Sequence, residues 1–242
     1  MSEAQSSIRN HLLRRLSPDA FAALAPHLER TPLMARSVVY EPERPIERVC
    51  FPESGLISIL AKSRSGGRIE AGLVGAEGAS GMAVVLADDR SPNEAIVQCS
   101  GHALWISADR LRQLIKTTPD LERVLLRFIH SFMIQTAHTA LADGRARLDQ
   151  RLARWLLMAQ DRMARPELPL THELLASMLG VRRAGVTVAL NGLERMGAIR
   201  MNRGVVTVAE RSLLENVAGP WYGVPEREYR RLLGEPIGVM AE

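Results

Sequence analysis

Leu170-Thr-His-Glu-Leu-Leu-Ala-Ser-Met-Leu-Gly-Val-Arg-Arg-Ala-Gly-Val-Thr-Val-Ala-Leu-Asn-Gly-Leu-Glu-Arg-Met-Gly-Ala-Ile199 divides into two short helices with a forced turn between them. Thr171 can cap the first, whose inner face is Leu174, Leu175 and Met178, and Gly180 supplies the left-handed residue that ends it. Val181 can bury itself in the corner. A second helix from about Arg182 to Met196 turns Val186, Ala189, Leu190 and Leu193 inward. Two β runs joined by Asn202-Arg203-Gly204 then read as a hairpin, so the pair of helices is a helix-turn-helix followed by a wing. A DNA major groove accepts one helix, with residues near its N-terminus reaching base edges. Arg182, Arg183, Thr187 and Asn191 share one outward face at the required spacing: arginine pairs with guanine, asparagine with adenine, and Thr187 with a phosphate or a thymine methyl. Thr171 and, on the wing, Arg203 complete the expected contacts to double-stranded DNA.

The charge distribution agrees. Of 242 residues, 31 are basic and 27 acidic, and the surplus of four has a location. Residues 1–143 are balanced, residues 144–218 hold 12 basic side chains against 7 acidic, and residues 219–242 hold 3 against 4. Only Lys62 and Lys116 are lysine. Arginine's planar fork suits phosphate and guanine, although a codon bias accounts for the ratio equally well. Cys50 and Cys99 are too few for a disulfide scaffold and lack metal-site spacing. With no signal-peptide stretch and no membrane-length apolar run, a cytoplasmic chain without membrane partners is expected.

Upstream, residues 8–28 carry helical spacing, with Ser17 and Pro18 as a helix start. Between Thr31 and Ile106 short β-rich runs (37–40, 48–51, 56–61, 68–74, 95–99 and 103–106) alternate with Pro- and Gly-bearing turns, as in a sandwich or roll. Ser107 caps a short helix. A long one runs from about Asp120 to Ala142, with Leu121, Leu125, Phe128, Phe132, Gln135 and Thr139 near one seam. That seam either lies on the β domain as core or meets its two-fold mate; the second gives a homodimer. Asp143-Gly144 marks a break. A further amphipathic helix, 147–163, points Arg147, Arg151, Arg154 and Arg162 largely outward, and Arg165-Pro-Glu-Leu-Pro reads as a linker. The expected fold is α+β: a β-roll sensory domain (1–118), a dimerisation helix (119–143), a winged helix-turn-helix domain (144–218) and a C-terminal extension (219–242). Trp221, Tyr222 and Tyr229 should dock that extension against the winged domain.

Over residues 15–210 the chain resembles the Crp/Fnr family of bacterial transcription regulators. The resemblance is carried by the segment quoted above, by Arg151-Leu-Ala-Arg-Trp-Leu-Leu, and by Val74-Gly-Ala-Glu-Gly-Ala-Ser-Gly81 in the roll. It implies a cyclic-nucleotide-binding-like roll, homodimers on two-fold symmetric promoter sites, and RNA polymerase as a further partner. An effector pocket would then involve Gly78, Ser80, Gly81, Met82, Asn93, Glu94 and Thr136. Two anchors of cyclic-AMP-binding members are replaced: Met82 follows Gly81 where the family has glutamate, and Asn93-Glu94 stands where it has a phosphate-binding arginine. Cyclic nucleotide is therefore not expected, because a buried phosphate needs a cation and Glu94 would repel it. An iron–sulfur cluster is not expected without cysteines before Cys50. Haem stays open through His11, His27, His102, His130 or His138, and no other cofactor is evident. In the second helix Ala184 and Val188 replace a glutamate and an arginine of the catabolite-activator type, which implies a different half-site. The rival readings are a roll that serves as a ligand-free scaffold and a regulatory subunit of an enzyme. The chain shows no nucleophile–base pair, His-Glu-x-x-His site or phosphate loop, so no enzyme is expected.

Overall fold

The computed structural model describes residues 3–234, 236 and 237. Helices α1 (Glu3–Ser6), α2 (His11–Arg15) and α3 (Pro18–Leu24) open the chain. Asn10 caps α2 by accepting from the Leu13 amide, and Ser17 caps α3 by accepting from that of Ala20, with Pro18 in the first turn. Strands β1 (Glu29–Leu33), β2 (Val38–Tyr40), β3 (Arg48–Pro52), β4 (Leu56–Lys62), β5 (Arg68–Val74), β6 (Glu94–Cys99) and β7 (Gly101–Ser107) form two antiparallel sheets, ordered β1-β7-β3 and β2-β6-β4-β5. Leu33, Phe51, Ile57, Ile59, Val97 and Ile106 belong to one core between them. Strand β1 has no hydrophobic alternation to announce it: only Leu33 of its five residues is buried, and Pro32 sits on a sheet edge, where no ladder hydrogen bond is lost. Both cysteines are buried thiols.

Ser107 accepts from the Arg110 amide to start α4 (Ala108–Thr117), and α5 (Pro119–Arg145) follows. Its 27 residues run through Asp143-Gly144, the expected break, and stop only at Ala146, whose amide still bonds the Ala142 carbonyl. One glycine costs a helix about 1 kcal/mol, too little to end so long a ladder. The structure also reassigns the seam expected for a mate. Leu121, Leu125, Phe128 and Phe132 are buried in the roll's own core. Gln135 clamps the β5 backbone, accepting from the Leu73 amide at 2.8 Å and donating to its carbonyl at 3.2 Å, and the Thr139 hydroxyl receives Arg154 at 3.2 Å. A stripe on the other face is left outward, with Leu126 43%, Met133 64% and Leu141 49% exposed and His130, Ala137 and Ala140 beside them.

Next come α6 (Leu148–Met163), β8 (Glu167–Leu168), α7 (His172–Leu179), α8 (Arg183–Arg195), β9 (Ile199–Asn202), β10 (Val205–Val208), α9 (Arg211–Ala218) and α10 (Val224–Leu233). The segment read as a linker contributes β8, which pairs with β10 in a sheet ordered β8-β10-β9. Helix α6 is buried on nearly every side, and two of its supposedly outward arginines are inside. Arg162 is ion-paired with Glu77 at 3.0 Å and donates to the Leu73 carbonyl, while Arg154 donates to the Trp221 carbonyl. Arg151 is half-buried against Asp143 and Arg147 alone stays exposed. Their partners come from distant segments, which helical periodicity cannot register. The C-terminal extension docks more widely than on the winged domain. Tyr222 does meet it, donating to Asp161 at 2.5 Å, but Tyr229 is buried in the roll's core with its hydroxyl on the Glu77 carbonyl. Among the described residues no helix is long and apolar enough to cross a membrane.

Leu56, Leu60, Leu73 and Cys99 from the roll share a second core with α6, α7, α8 and the wing. At its centre the Glu70 carboxyl bonds the Trp155 indole N–H at 2.7 Å and the Ser58 hydroxyl. Burial pushes Glu70 up to about 8, against the opposing pull of Ser58, Trp155, Arg162 and Arg154. The folded chain therefore holds a proton there that the unfolded chain has lost, and this stabilisation, complete below about pH 4.5, fades as pH rises to about 8. Asp161, pushed to about 6 by burial, fades lower. Thermal melts should thus show Glu70→Gln with a flatter stability profile than the wild type between pH 6.5 and 8; equal slopes would remove the proton from Glu70.

Candidate nucleic-acid interface

The helix pair is built as its sequence requires. The Thr171 hydroxyl accepts from the Leu174 amide, Gly180 takes φ +63° as it ends α7, and half-buried Val181 packs in the corner. Arg182 occupies the N-cap of α8, whose inward residues Val186, Leu190 and Leu193 are fully buried. The Glu194 carboxylate accepts from the Met201 amide at 2.8 Å, tying the end of α8 to the wing. The wing turns at Arg203-Gly204, with Gly204 at φ +74°.

Arg182, Arg183, Asn191 and Arg203 are all exposed, as is Thr171. Four other arginines of the basic block are taken up inside, Arg151, Arg162 and Arg211 holding Asp143, Glu77 and Asp161 and Arg154 donating to the Trp221 carbonyl, whereas Arg145, Arg165, Arg195 and Arg200 are exposed. Among the described residues Arg182, Arg183 and Arg203 face no carboxylate within ion-pair distance, so their charge is free for an external anion. Arg183, Thr171, His172, Asn202 and Gly204 line one cleft between α7 and the wing, and Arg36 of the roll stands on its rim. One residue went unnoticed in the sequence. His172 Nδ1 lies 2.9 Å from the Thr187 hydroxyl, a contact between the two helices that no local pattern encodes. Val188 is 69% exposed on the outward face.

Each of the expected effector residues has partners of its own. A Cβ on Gly78 would lie 2.4 Å from the Phe128 ring, so that glycine is packed against α5. Ser80 bridges to Cys50 of β3, Gly81 leads into a short turn beginning at Met82, and the Asn93 amide bonds Ser91. Glu94 holds Lys62 at 2.8 Å in the four-stranded sheet. The Thr136 hydroxyl is bonded to the Phe132 carbonyl.

Residues 150–217 match the Crp-like helix-turn-helix domain. That stretch of the chain is a Crp-like helix-turn-helix domain. The global nitrogen regulator of Nostoc sp. is 23% identical over 217 residues, covering 86% of this chain and 95% of that one. FixK2 from Bradyrhizobium japonicum is similar in fold at 16% identity (TM-score 0.66; 79% of this chain and 98% of that chain). A CRP/FNR-family transcriptional regulator from Thermus thermophilus is similar at 21% identity (TM-score 0.62; 78% and 98%). The chain thus shares its fold with a solved CRP/FNR-family regulator, and its helix-turn-helix segment is Crp-like. Because Gly180 sits at φ +63° where the helix pair turns, Gly180→Ala should destabilise the chain by about 1 kcal/mol. Urea unfolding measures this, and an unchanged midpoint would contradict a strained corner.

Proposed function

We propose that the chain is a cytoplasmic homodimer that binds a two-fold symmetric promoter site, with α8 of each protomer in a major groove, and then meets RNA polymerase. The observation that carries this reading is the Crp-like helix-turn-helix segment itself, with Arg182 and Arg183 at the start of its second helix and Arg203 on its wing, all exposed. Arg182 and Arg183 sit at the start of α8, where base edges and phosphates are reached. Arg203 takes a backbone phosphate from the wing, and Thr171 contributes at the start of α7. Catalysis and a resident cofactor have no part in this reading.

The outward stripe of α5 supports the dimer. Leu126, His130, Met133, Ala137 and Ala140 recur at alternating spacings of four and three residues, the pattern that lets two helices supercoil. The roll is proposed to act without a cyclic nucleotide held in the usual manner: Phe128 fills the space against Gly78, and a Lys62–Glu94 pair occupies the place of a phosphate-binding arginine. Any signal at the roll has a short route to the DNA-binding helices, since Arg68 bonds Ser177 at 3.0 Å and Gln98 bonds the Met178 sulfur. Calorimetry with cyclic AMP should show no heat of binding; saturable uptake would reverse this part.

Replacing Arg182 and Arg183 together by alanine should abolish sequence-specific retardation of promoter fragments, with the circular dichroism spectrum unchanged. Retained specific binding would sink the assignment. Met133→Glu should convert the dimer to a monomer by light scattering, since it puts a charge into the two-fold seam twice; a persistent dimer would place the interface elsewhere.

A further inference from the structure

Resting on the reading of α8 as the helix in the groove, we infer that the centre of its outward face reads thymine methyl groups. Ala184, Thr187, Val188 and Asn191 fall at positions i, i+3, i+4 and i+7 and so share one face. Ala184 and Val188 are exposed, the latter at 69%, and neither offers a hydrogen bond. Thr187 joins them because its polar group is already committed. Its hydroxyl donates to the Arg183 carbonyl at 3.2 Å and lies 2.9 Å from His172 Nδ1. A hydroxyl has one hydrogen, so with that hydrogen on the carbonyl the imidazole must be the donor in the second contact. Thr187, half-buried, thus holds its oxygen to the protein at two points, and its methyl is the group it has left uncommitted. His172 is a positioning residue in this arrangement.

An exposed valine alone is common on protein surfaces. The place of this one gives it meaning, because an apolar patch lies between Arg183 and Asn191, the two residues suited to guanine and adenine. Arg183 and Asn191 are eight residues apart, about 12 Å along the helix at 1.5 Å per residue. That length spans three to four base pairs at about 3.4 Å each. In the major groove the C5 methyl of thymine is the apolar feature that marks a base pair. The half-site should therefore place guanine and adenine at its ends and thymine methyls on one or two base pairs between them.

Selection from random duplexes with the full-length protein yields the half-site, and each thymine can then be replaced by uracil, which removes only the methyl. At one or two inner positions uracil should weaken binding about fourfold, the equivalent of about 0.8 kcal/mol for one buried methyl or methylene. In Val188→Ala the same replacement should cost less than twofold. Thr187→Val, which keeps the methyl group, should retain the preference, and Thr187→Ser, which loses it, should weaken it. Uracil tolerated at every position, or a full penalty persisting in Val188→Ala, would overturn the methyl-reading face while leaving DNA binding intact. Failure to enrich any sequence would overturn the DNA-binding reading and this inference with it.

Discussion

Arg162 and Glu77 form an ion pair with side chains 1% and 2% exposed, and the geometry of the whole chain is organised around it. Two charges removed from water are tolerated only when each finds further partners. Here the second Glu77 oxygen accepts from the Gly75 amide at 2.9 Å, and Arg162 also donates to the Leu73 and Met158 carbonyls. The approach is close enough that a Cβ on Gly75 would meet the Arg162 Cβ at 2.6 Å. The Glu77 backbone carbonyl in turn takes the Tyr229 hydroxyl. One loop of the roll is thereby gripped by the first helix of the DNA-binding half and by the C-terminal helix. Removing one partner of such a pair leaves a bare charge inside, at about 3–5 kcal/mol.

That anchor explains why α5 has two personalities. Its roll-facing side must close the second sheet, and it does so with large rings and with Gln135 bonded to the β5 backbone. Its other side leaves Leu126, Met133 and Leu141 exposed. Arg154 bonds both Thr139 of α5 and the Trp221 carbonyl of the extension, so a shift of α5 is felt by α6 and by the segment beyond the wing. Helices α5 and α6 and the segment beyond the wing are thus joined by hydrogen-bonded side chains rather than by apolar packing alone.

The local parts of this design were legible in the sequence. Caps at Ser17, Ser107 and Thr171, the left-handed Gly180 and the wing turn are each set by residues a few positions apart, and each stands where its chemistry required. What could not be read locally was the direction of a polar side chain whose partner lies far along the chain. Arg154 and Arg162 look outward on a helical wheel because the wheel holds neither Trp221 nor Glu77. The α5 seam at three- and four-residue spacing fits either a mate or the roll, and the roll claims it for its own core, leaving Leu126, Met133 and Leu141 outward on the other face. The expected effector residues were carried by resemblance alone, and the side chains around them have a different chemistry.

The net positive charge acquires its meaning only after such pairings are subtracted. Arg162, Arg151 and Arg211 each neutralise a carboxylate inside the fold, and their contribution to the external field is small. What remains is exposed: Arg182 and Arg183 at the start of α8 and Arg200 and Arg203 on the wing, together with Arg145, Arg165 and Arg195. Charge of this kind attracts any duplex and fixes register through phosphates, but it does not choose among sequences. On the proposed reading, choice falls to groups whose worth depends on the base they meet: the forks of Arg182 and Arg183, the amide of Asn191, and the valine between Arg183 and Asn191.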